Sequence, residues 1–475
     1  MKNNSNPKAN HHMLILTYGV VLLFVGLAAY YCYFLFVKSD TVINNSYNAR
    51  LDNFADRVVR GEIQSSDGRV LARTDVDGEG KETRVYPFDS LFAHAVGYST
   101  NGKTGLEAIS NFYLLTSHVN IIEQIVNEMS SIKNQGDNVV STLDVDIQKA
   151  AYDALGKRNG AVVVLEPDTG KILAMVSKPD YNPNTLLADW NRLVAEENTS
   201  GQLLNRATQG LYPPGSTFKL VTALEYMREN PANYRDYTFD CNGIYKNGAY
   251  TIKCYHETAH GHQNLQQAFA NSCNGAFANL GLSLDLNGLK KTADQLLFNS
   301  DLALPVAYNR SSYSMEAGAD TWQVLQTSIG QGQTQITPIH NAMMTAAIAN
   351  GGTLMKPYLI DHVENAGGDV IKKFMPQSYG SLMTAEESAV LTEFMKSVVT
   401  DGTGSALRTD AYTVAGKTGS AEFETGKETH AWFIGFAPAE QPRVVVSVIV
   451  EEGGSGGKAA APIARKLFDL YFSRG

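Results

Sequence analysis

Tyr212-Pro213-Pro214-Gly215-Ser216-Thr217-Phe218-Lys219 decides how the chain is read, because it joins a helix start to a candidate nucleophile. Two prolines and a glycine do not continue a helix. Thr217 to Arg228, by contrast, carries helical apolar spacing at Phe218, Val221 and Leu224. Ser216 is thus placed at or just before a helix N-terminus, where oriented N–H groups favour negative charge by about 0.3–1 kcal/mol. Lys219 lies three residues on, one turn along the same face. A buried lysine sheds its proton readily and can then accept one from a hydroxyl. Ser216 can equally be no more than a helix cap, and Ser-x-x-Lys arises about once or twice by chance in a chain this long.

Two further runs follow in order. Ser272-Cys273-Asn274 falls in a stretch, Leu265 to Leu282, that reads as helical, among apolar Phe269, Ala270, Ala276 and Phe277. Polar groups in such company need partners, although an ordinary polar helix face reads the same way. Lys417-Thr418-Gly419-Ser420 sits on a predicted strand after Tyr412-Thr413-Val414-Ala415. Glycine there lets a substrate backbone lie against the strand, and a Lys–Thr pair can bind a carboxylate.

Together the three runs resemble the active-site set of penicillin-binding proteins and serine β-lactamases. The intervals of about 55 and about 145 residues between them suit that set. The resemblance extends over nearly the whole chain to class B penicillin-binding proteins. It is carried by Arg60-Gly61-Glu62-Ile63 with Asp67-Gly68, by Gly105-Leu106-Glu107 and Ser141-Thr142-Leu143-Asp144, and by Tyr212-Pro213-Pro214-Gly215. Gly330-Gln331-Gly332 with Thr337-Pro338, Gly402-Thr403-Gly404 and Trp432-Phe433-Ile434-Gly435-Phe436-Ala437-Pro438 extend it.

The resemblance implies an α+β fold, with a transpeptidase domain whose central antiparallel sheet is flanked by helices. It implies that Ser216 attacks the carbonyl between the last two D-alanines of a peptidoglycan stem and that Lys219 takes its proton. Ser272 would relay that proton toward the departing D-alanine, with Lys417 lowering its pKa. Asn274 would hydrogen-bond the substrate amide and Thr418 the terminal carboxylate, against the open face at Gly419. The N–H groups of Ser216 and Ser420 would form the oxyanion hole. β-Lactams would trap Ser216, a membrane glycosyltransferase is the implied partner, and no cofactor or catalytic metal is implied.

The rest of the chain frames these motifs. Its 475 residues make two or three domains the prior expectation. A formal net charge of −9 removes nucleic acid as a partner class, since an acidic chain gains nothing from counterion release. Residues 13–37 form an uncharged run of 25, long enough to span a bilayer. Bulky Tyr30, Tyr31, Tyr33 and Phe34 stand where a signal peptidase needs small residues, so the run reads as a retained anchor. Lys2, Lys8 and the terminal amine then put a short tail, 1–12, in the cytoplasm and the remainder outside the cell membrane. Residues 38–159 read as a small pedestal: a polar connector from Asp40 to Arg60, a hairpin about Asp67-Gly68, helical spacing from Ile109 to Met129, a strand at Asn138 to Ser141 and a helix from Asp146 to Leu155. At Gly160 two β-prone runs around Pro167-Asp168-Thr169-Gly170 open the transpeptidase domain, 160–475. Arg443 to Glu452 reads as another strand, and Ala459 to Phe472 as the closing helix.

Rival readings use the same fold. A β-lactamase would lack anchor and pedestal, and residues 38–159 are too few for a glycosyltransferase domain. A D,D-carboxypeptidase and a catalytically minor scaffold of the wall machinery remain the alternatives. His256-Glu257-Thr258-Ala259-His260 spells a zinc-protease motif, but that motif works only on a helix, and strand-like Tyr250 to Tyr255 leaves no room for one. Cys241 and Cys254 flank a hairpin with an Asn-Gly turn and are expected to form a disulfide. Free packed thiols, or one of these cysteines joining His256, His260 or His262 around zinc, are the other readings.

Overall fold

Ala161-Val162-Val163-Val164-Leu165 is apolar at every position, which suits a strand covered on both faces. The computed structural model of the chain, which describes residues 7–35, 57–130, 132–424 and 426–474, shows it as such. Gly160–Leu165 is the fourth strand of a five-stranded antiparallel sheet, ordered Ala415–Ala421, His430–Ala437, Val444–Val450, Gly160–Leu165 and Ile172–Lys178. Val162 and Val164 pack with Ile147, Leu155, Leu467 and Phe468 of the helices Val145–Leu155 and Ala461–Phe472. Val163 and Leu165 join the larger core on the opposite face. There the helix Pro338–Ala349 is buried from Pro338 through Ile348. Each fully buried valine or leucine contributes about 1.5–3 kcal/mol, so the two-sided run anchors the domain. The closing helix starts after a short turn of helix, Gly456–Ala459, with Pro462 in its first turn where the missing N–H costs nothing.

A second sheet has six strands, ordered Val370–Lys373, Ile360–Glu364, Asn138–Ser141, Ile63–Gln64, Val70–Val76 and Glu82–Val85. The hairpin expected about Asp67-Gly68 is present, with Gly68 at φ +81 and its N–H donating to Ser65 O at 3.0 Å. Two of the six strands come from residues 360–373, so the sheet draws on chain far downstream of Gly160. The helical spacing from Ile109 to Met129 does not make one helix. Gly105–Ile109, Asn111–Leu114 and Ile121–Met129 are separate. The side chains of Ser110 and Thr116 bond back to Leu106 O and Phe112 O, offering the backbone an alternative to helix continuation, and Asn120 caps the last piece through Glu123 N–H at 2.8 Å.

The sheet's helical flank is tied down by one buried carboxylate. Arg60 donates to Glu107 Oε2 at 2.6 and 2.8 Å, and Arg84 to Glu107 Oε1 at 2.7 Å, with Glu107 wholly buried. Two of the quoted sequence runs therefore meet, Arg60-Gly61-Glu62 against Gly105-Leu106-Glu107. Burial opposes the charge on Glu107, but the two guanidiniums outweigh it and hold the carboxyl down to about 2. A carboxyl depressed in the folded state stabilises above its unfolded pKa, and that contribution is lost as pH falls from roughly 4 toward 2. Glu107→Gln leaves two buried guanidiniums uncompensated and is expected to cost about 3–5 kcal/mol at neutral pH. Thermal melts should also show the gap to wild type narrowing below pH 4; a variant melting with wild type at pH 7 contradicts the assignment.

The N-terminal run is helical over Pro7–Tyr33, with an apolar stretch His11–Tyr33 of 23 residues and mean hydropathy 2.2. That length crosses a hydrocarbon layer of roughly 30 Å. The end of the expected anchor, Phe36 and Val37, lies outside the described residues, as does the connector from Asp40 up to Asp56.

Candidate active site

Ser216 does not sit on the α-helix itself. Gly215–Phe218 is a 3-10 turn, and the α-helix begins at Lys219 and runs to Glu229. Tightened first turns of this kind are common at helix starts. Three contacts pin the turn. Gly215, at φ +52, donates its N–H to Gly330 O at 2.8 Å, Trp432 Nε1 donates to Pro213 O at 3.0 Å, and Thr217 Oγ1 donates to Pro214 O at 2.8 Å. The run Gly330-Gln331-Gly332 thereby acquires a role that its sequence did not disclose. Gly330 is at φ +79, and a Cβ there would lie 1.9 Å from Gly215 O.

Lys219 is fully buried, and its amine reaches across to the second motif. Nζ donates to Ser272 O at 2.7 Å, Ser272 Oγ at 3.2 Å and Asn274 Oδ1 at 2.8 Å. None of these contacts is to Ser216. The helix expected from Leu265 to Leu282 is broken to make them possible: Leu265–Ala270 and Asn274–Ser283 are distinct helices. Ser272 between them is at φ +54. Residues two apart on a continuous helix point roughly 200° from each other, so unbroken helix could not bring Ser272 and Asn274 to one amine. Ser272 N–H and Cys273 N–H close the first helix on Phe269 O and Ala268 O, and Cys273 Sγ caps the second through Ala276 N–H at 3.4 Å.

The third motif lies on the edge strand Ala415–Ala421, which among the described residues pairs on one side only, with His430–Ala437. Lys417 is fully buried, with Nζ donating to Thr418 O at 3.1 Å and lying 5.4 Å from the Phe269 ring centroid. Thr418 Oγ1 meets Thr403 Oγ1 at 2.5 Å, which brings Gly402-Thr403-Gly404 into the site. Gly402 is needed there, because a Cβ would lie 2.1 Å from Ala270 O, just ahead of Ser272. The three motifs converge on a cleft of about 360 Å³ lined by Ser216, Ser272, Asn274, Thr418, Gly419 and Ser420, with Thr403 on its wall. Thr403 and Gly330 were legible only as unassigned members of short glycine-bearing runs.

Two buried ammonium groups near one another are unfavourable. Burial pulls Lys219 down to about 8. Burial, and next the charge of Lys219, push Lys417 well below the usual lysine range. The site therefore holds a lysine able to take up a proton near neutral pH.

The zinc-protease motif fails as expected. Tyr255–Glu257 is a 3-10 turn with His256 at φ 52 and Glu257 at φ 55, so the two histidines share no helix face. Cys241 and Cys254 do lie across the hairpin Ile244–Asn247/Tyr250–Lys253, yet their sulfurs are 3.7 Å apart and unbonded, in place of the expected disulfide.

Comparison with known proteins agrees with this geometry. Residues 160–469 match the penicillin-binding protein transpeptidase domain, and residues 60–139 the penicillin-binding protein A dimerisation domain. The chain is 34% identical over 439 residues to the peptidoglycan D,D-transpeptidase PbpA of Mycolicibacterium smegmatis, covering 86% of this chain and 87% of that one. The D,D-transpeptidase domain of a peptidoglycan glycosyltransferase from Eggerthella lenta superimposes with a TM-score of 0.79 at 33% identity, over 88% of this chain and 99% of that one. Penicillin-binding protein A of M. tuberculosis, as its ceftriaxone acyl-enzyme, superimposes with a TM-score of 0.78 at 31% identity, over 88% and 99%. The chain belongs to the penicillin-binding protein transpeptidases and is a class B member. Its reaction is the serine acyl transfer of peptidoglycan D,D-transpeptidation.

Gly330→Ala tests the support beneath the serine turn. The left-handed backbone alone costs an alanine about 1–3 kcal/mol, and the clash with Gly215 O adds to it. Chemical denaturation should show that loss, and an unchanged midpoint would show that the turn does not rest on Gly330.

Proposed function

We propose that Ser216 is the nucleophile that cross-links peptidoglycan stem peptides, with Lys219 as its base. The observation that carries this reading is the fully buried Lys219 amine, shared between Ser272 and Asn274, which line the same cleft as Ser216. A neutral amine keeps two of its three donor contacts and turns its lone pair toward Ser216. Ser216 Oγ then bonds to the carbonyl carbon of the penultimate D-alanine as its proton passes to Lys219. The N–H groups of Ser216 and Ser420 receive the developing oxyanion, where loss of one donor costs about 2.7–4 kcal/mol. Ser272, its pKa lowered by Lys417, carries the proton on to the nitrogen of the leaving D-alanine as the C–N bond breaks. An amine of a second stem resolves the acyl-enzyme.

Asn274 holds the substrate amide and Thr418 the terminal carboxylate, with Gly419 leaving the free strand edge open to the peptide backbone. β-Lactams, which present the same terminus, acylate Ser216; the ceftriaxone acyl-enzyme of the M. tuberculosis relative supports this. A D,D-carboxypeptidase would use the same acyl-enzyme and give it to water.

The same proposal places 1–12 in the cytoplasm, 13–37 in the bilayer as a single-pass anchor, the pedestal at 38–159 and the transpeptidase domain at 160–475 outside the cell membrane. A membrane glycosyltransferase is its partner. The pedestal helix Ile121–Met129 leaves Ile121, Ile122, Ile125, Val126 and Met129 exposed, an apolar face of the kind that protein contacts cover.

Fluorescent-penicillin labelling of the detergent-solubilised chain is expected to vanish in Ser216→Ala and to slow by roughly 10²–10⁴-fold in Lys219→Ala. Labelling of Ser216→Ala at the wild-type rate would refute the nucleophile. Because burial holds Lys219 near 8, the unprotonated base grows with pH. The wild-type rate should rise about tenfold per pH unit below that value and level off above it; a flat profile from pH 6 to 9 would exclude Lys219 as the base. Protease added to intact spheroplasts should digest the chain beyond residue 38, and protection of the large domain would overturn the orientation.

A further inference from the structure

A buried amide lies beside the serine turn and touches no substrate. Asn341 belongs to the buried helix Pro338–Ala349, with Ile339, Ala342 and Met344 around it in the chain, and its side chain does not reach solvent. Its Nδ2 donates to Thr217 Oγ1 at 3.2 Å. Its Oδ1 has no hydrogen-bond partner among the described residues. A buried amide with one end unmet weakens a fold, and a leucine, with the same branching, would leave no polar atom stranded. Polar groups kept at a cost in stability gather at functional sites. The one partner of this side chain among the described residues is the residue that follows Ser216.

Thr217 is itself fully buried and stands between the two halves of the site. Its Oγ1 donates to Pro214 O at 2.8 Å and its N–H to the same oxygen at 3.3 Å, which shapes the turn that carries Ser216. A threonine hydroxyl has one proton. With the Asn341 amide donating into a lone pair of Oγ1, that proton is left for Pro214 O. The third motif runs against the same two groups. A Cβ at Gly419 would lie 3.4 Å from Pro214 O and 3.4 Å from Thr217 Cγ2. The segment bearing Asn341 also grips the serine loop further back, where Tyr212 and Ile336 exchange backbone hydrogen bonds of 2.8 and 3.1 Å. Five residues on from each of these, Thr217 meets Asn341, so the loop that carries Ser216 is bracketed at both ends.

We propose that Asn341 is a positioning residue for the oxyanion hole. By fixing the Thr217 side chain between the serine turn and the third motif, it sets the spacing of the Ser216 and Ser420 N–H groups. This role rests on the acyl-enzyme reading of the site. Oxyanion donors act at about 2.7–3.1 Å from the charge they receive, so a small displacement of one against the other weakens the transition state. The complex that precedes acylation is held instead by Asn274 and Thr418, which Asn341 does not contact, so ground-state binding is spared.

The test uses the full chain in detergent. The concentration dependence of fluorescent-penicillin labelling separates the acylation rate constant from the dissociation constant of the preceding complex. In Asn341→Leu the rate constant is expected to fall by about tenfold or more, with the dissociation constant within about twofold of wild type. The thermal midpoint should stay within about 3 °C of wild type or rise, because an unmet polar atom has been removed. Thr217→Val should lower the rate constant by a similar factor. The double variant should be no slower than Thr217→Val alone, since both changes act through one contact. An unchanged rate constant in Asn341→Leu, alongside loss of labelling in Ser216→Ala, would overturn the positioning role and leave the nucleophile standing. Fully additive losses in the double variant, or a dissociation constant that rises in step with the fall in rate, would overturn it as well. Should Asn341→Leu not fold, Asn341→Ala and Thr217→Val carry the same comparison, and a wild-type rate constant in either refutes the proposal.

Discussion

Burying a lysine amine is costly unless its donors are met, and the active centre is arranged around that constraint. Lys219 Nζ is met by a carbonyl, a hydroxyl and an amide oxygen from a segment 53 to 55 residues downstream. Those three acceptors can converge only because the helix from Leu265 stops at Ala270 and a new one starts at Asn274. The left-handed Ser272 follows from that break, as does the need for Gly402 to lie flat against Ala270 O. The burial that demands partners also lowers the pKa of the amine to about 8, as the proposed role of base requires.

The five-stranded sheet supplies the other half of the site by leaving one edge unpaired. Its interior strands are apolar on both faces, between the terminal helices and the helix Pro338–Ala349. The edge strand Ala415–Ala421 instead carries Lys417, Thr418 and Gly419, with one side free to take an extended peptide. Trp432, on the neighbouring strand, donates through Nε1 to Pro213 O and so links the sheet to the serine turn. The turn that carries Ser216, the proposed nucleophile, and the edge strand of the third motif are therefore linked by direct contacts rather than by the general shape of the domain.

A parallel logic holds the smaller sheet. Glu107 is buried only because Arg60 and Arg84 reach it from two directions, and removing the carboxylate leaves two buried guanidiniums without a countercharge. The sheet also takes strands from residues 360–373, so it is stitched to the catalytic half by backbone hydrogen bonds.

By itself, the amino-acid sequence determined whatever depends on neighbours along the chain. The apolar N-terminal helix, the valine-rich strands, the hairpin at Asp67-Gly68, the turn ahead of Lys219 and the identity of the three motif runs all follow from local composition and spacing. Tertiary structure alone decided what depends on residues far apart. Periodicity made one helix of Leu265 to Leu282, because apolar spacing continues through Ser272; the buried amine of Lys219 requires the break. The hairpin between Cys241 and Cys254 suggested a bridge, whereas the third sulfur, Cys273, arrives from another element and leaves the thiols 3.7 Å apart. Thr403 and Gly330 had no readable role until Thr418 and Gly215 were packed against them. Local pattern reports which face of an element is apolar; it does not report which distant polar atom that face must accommodate, and the chemistry of this site is made of such atoms.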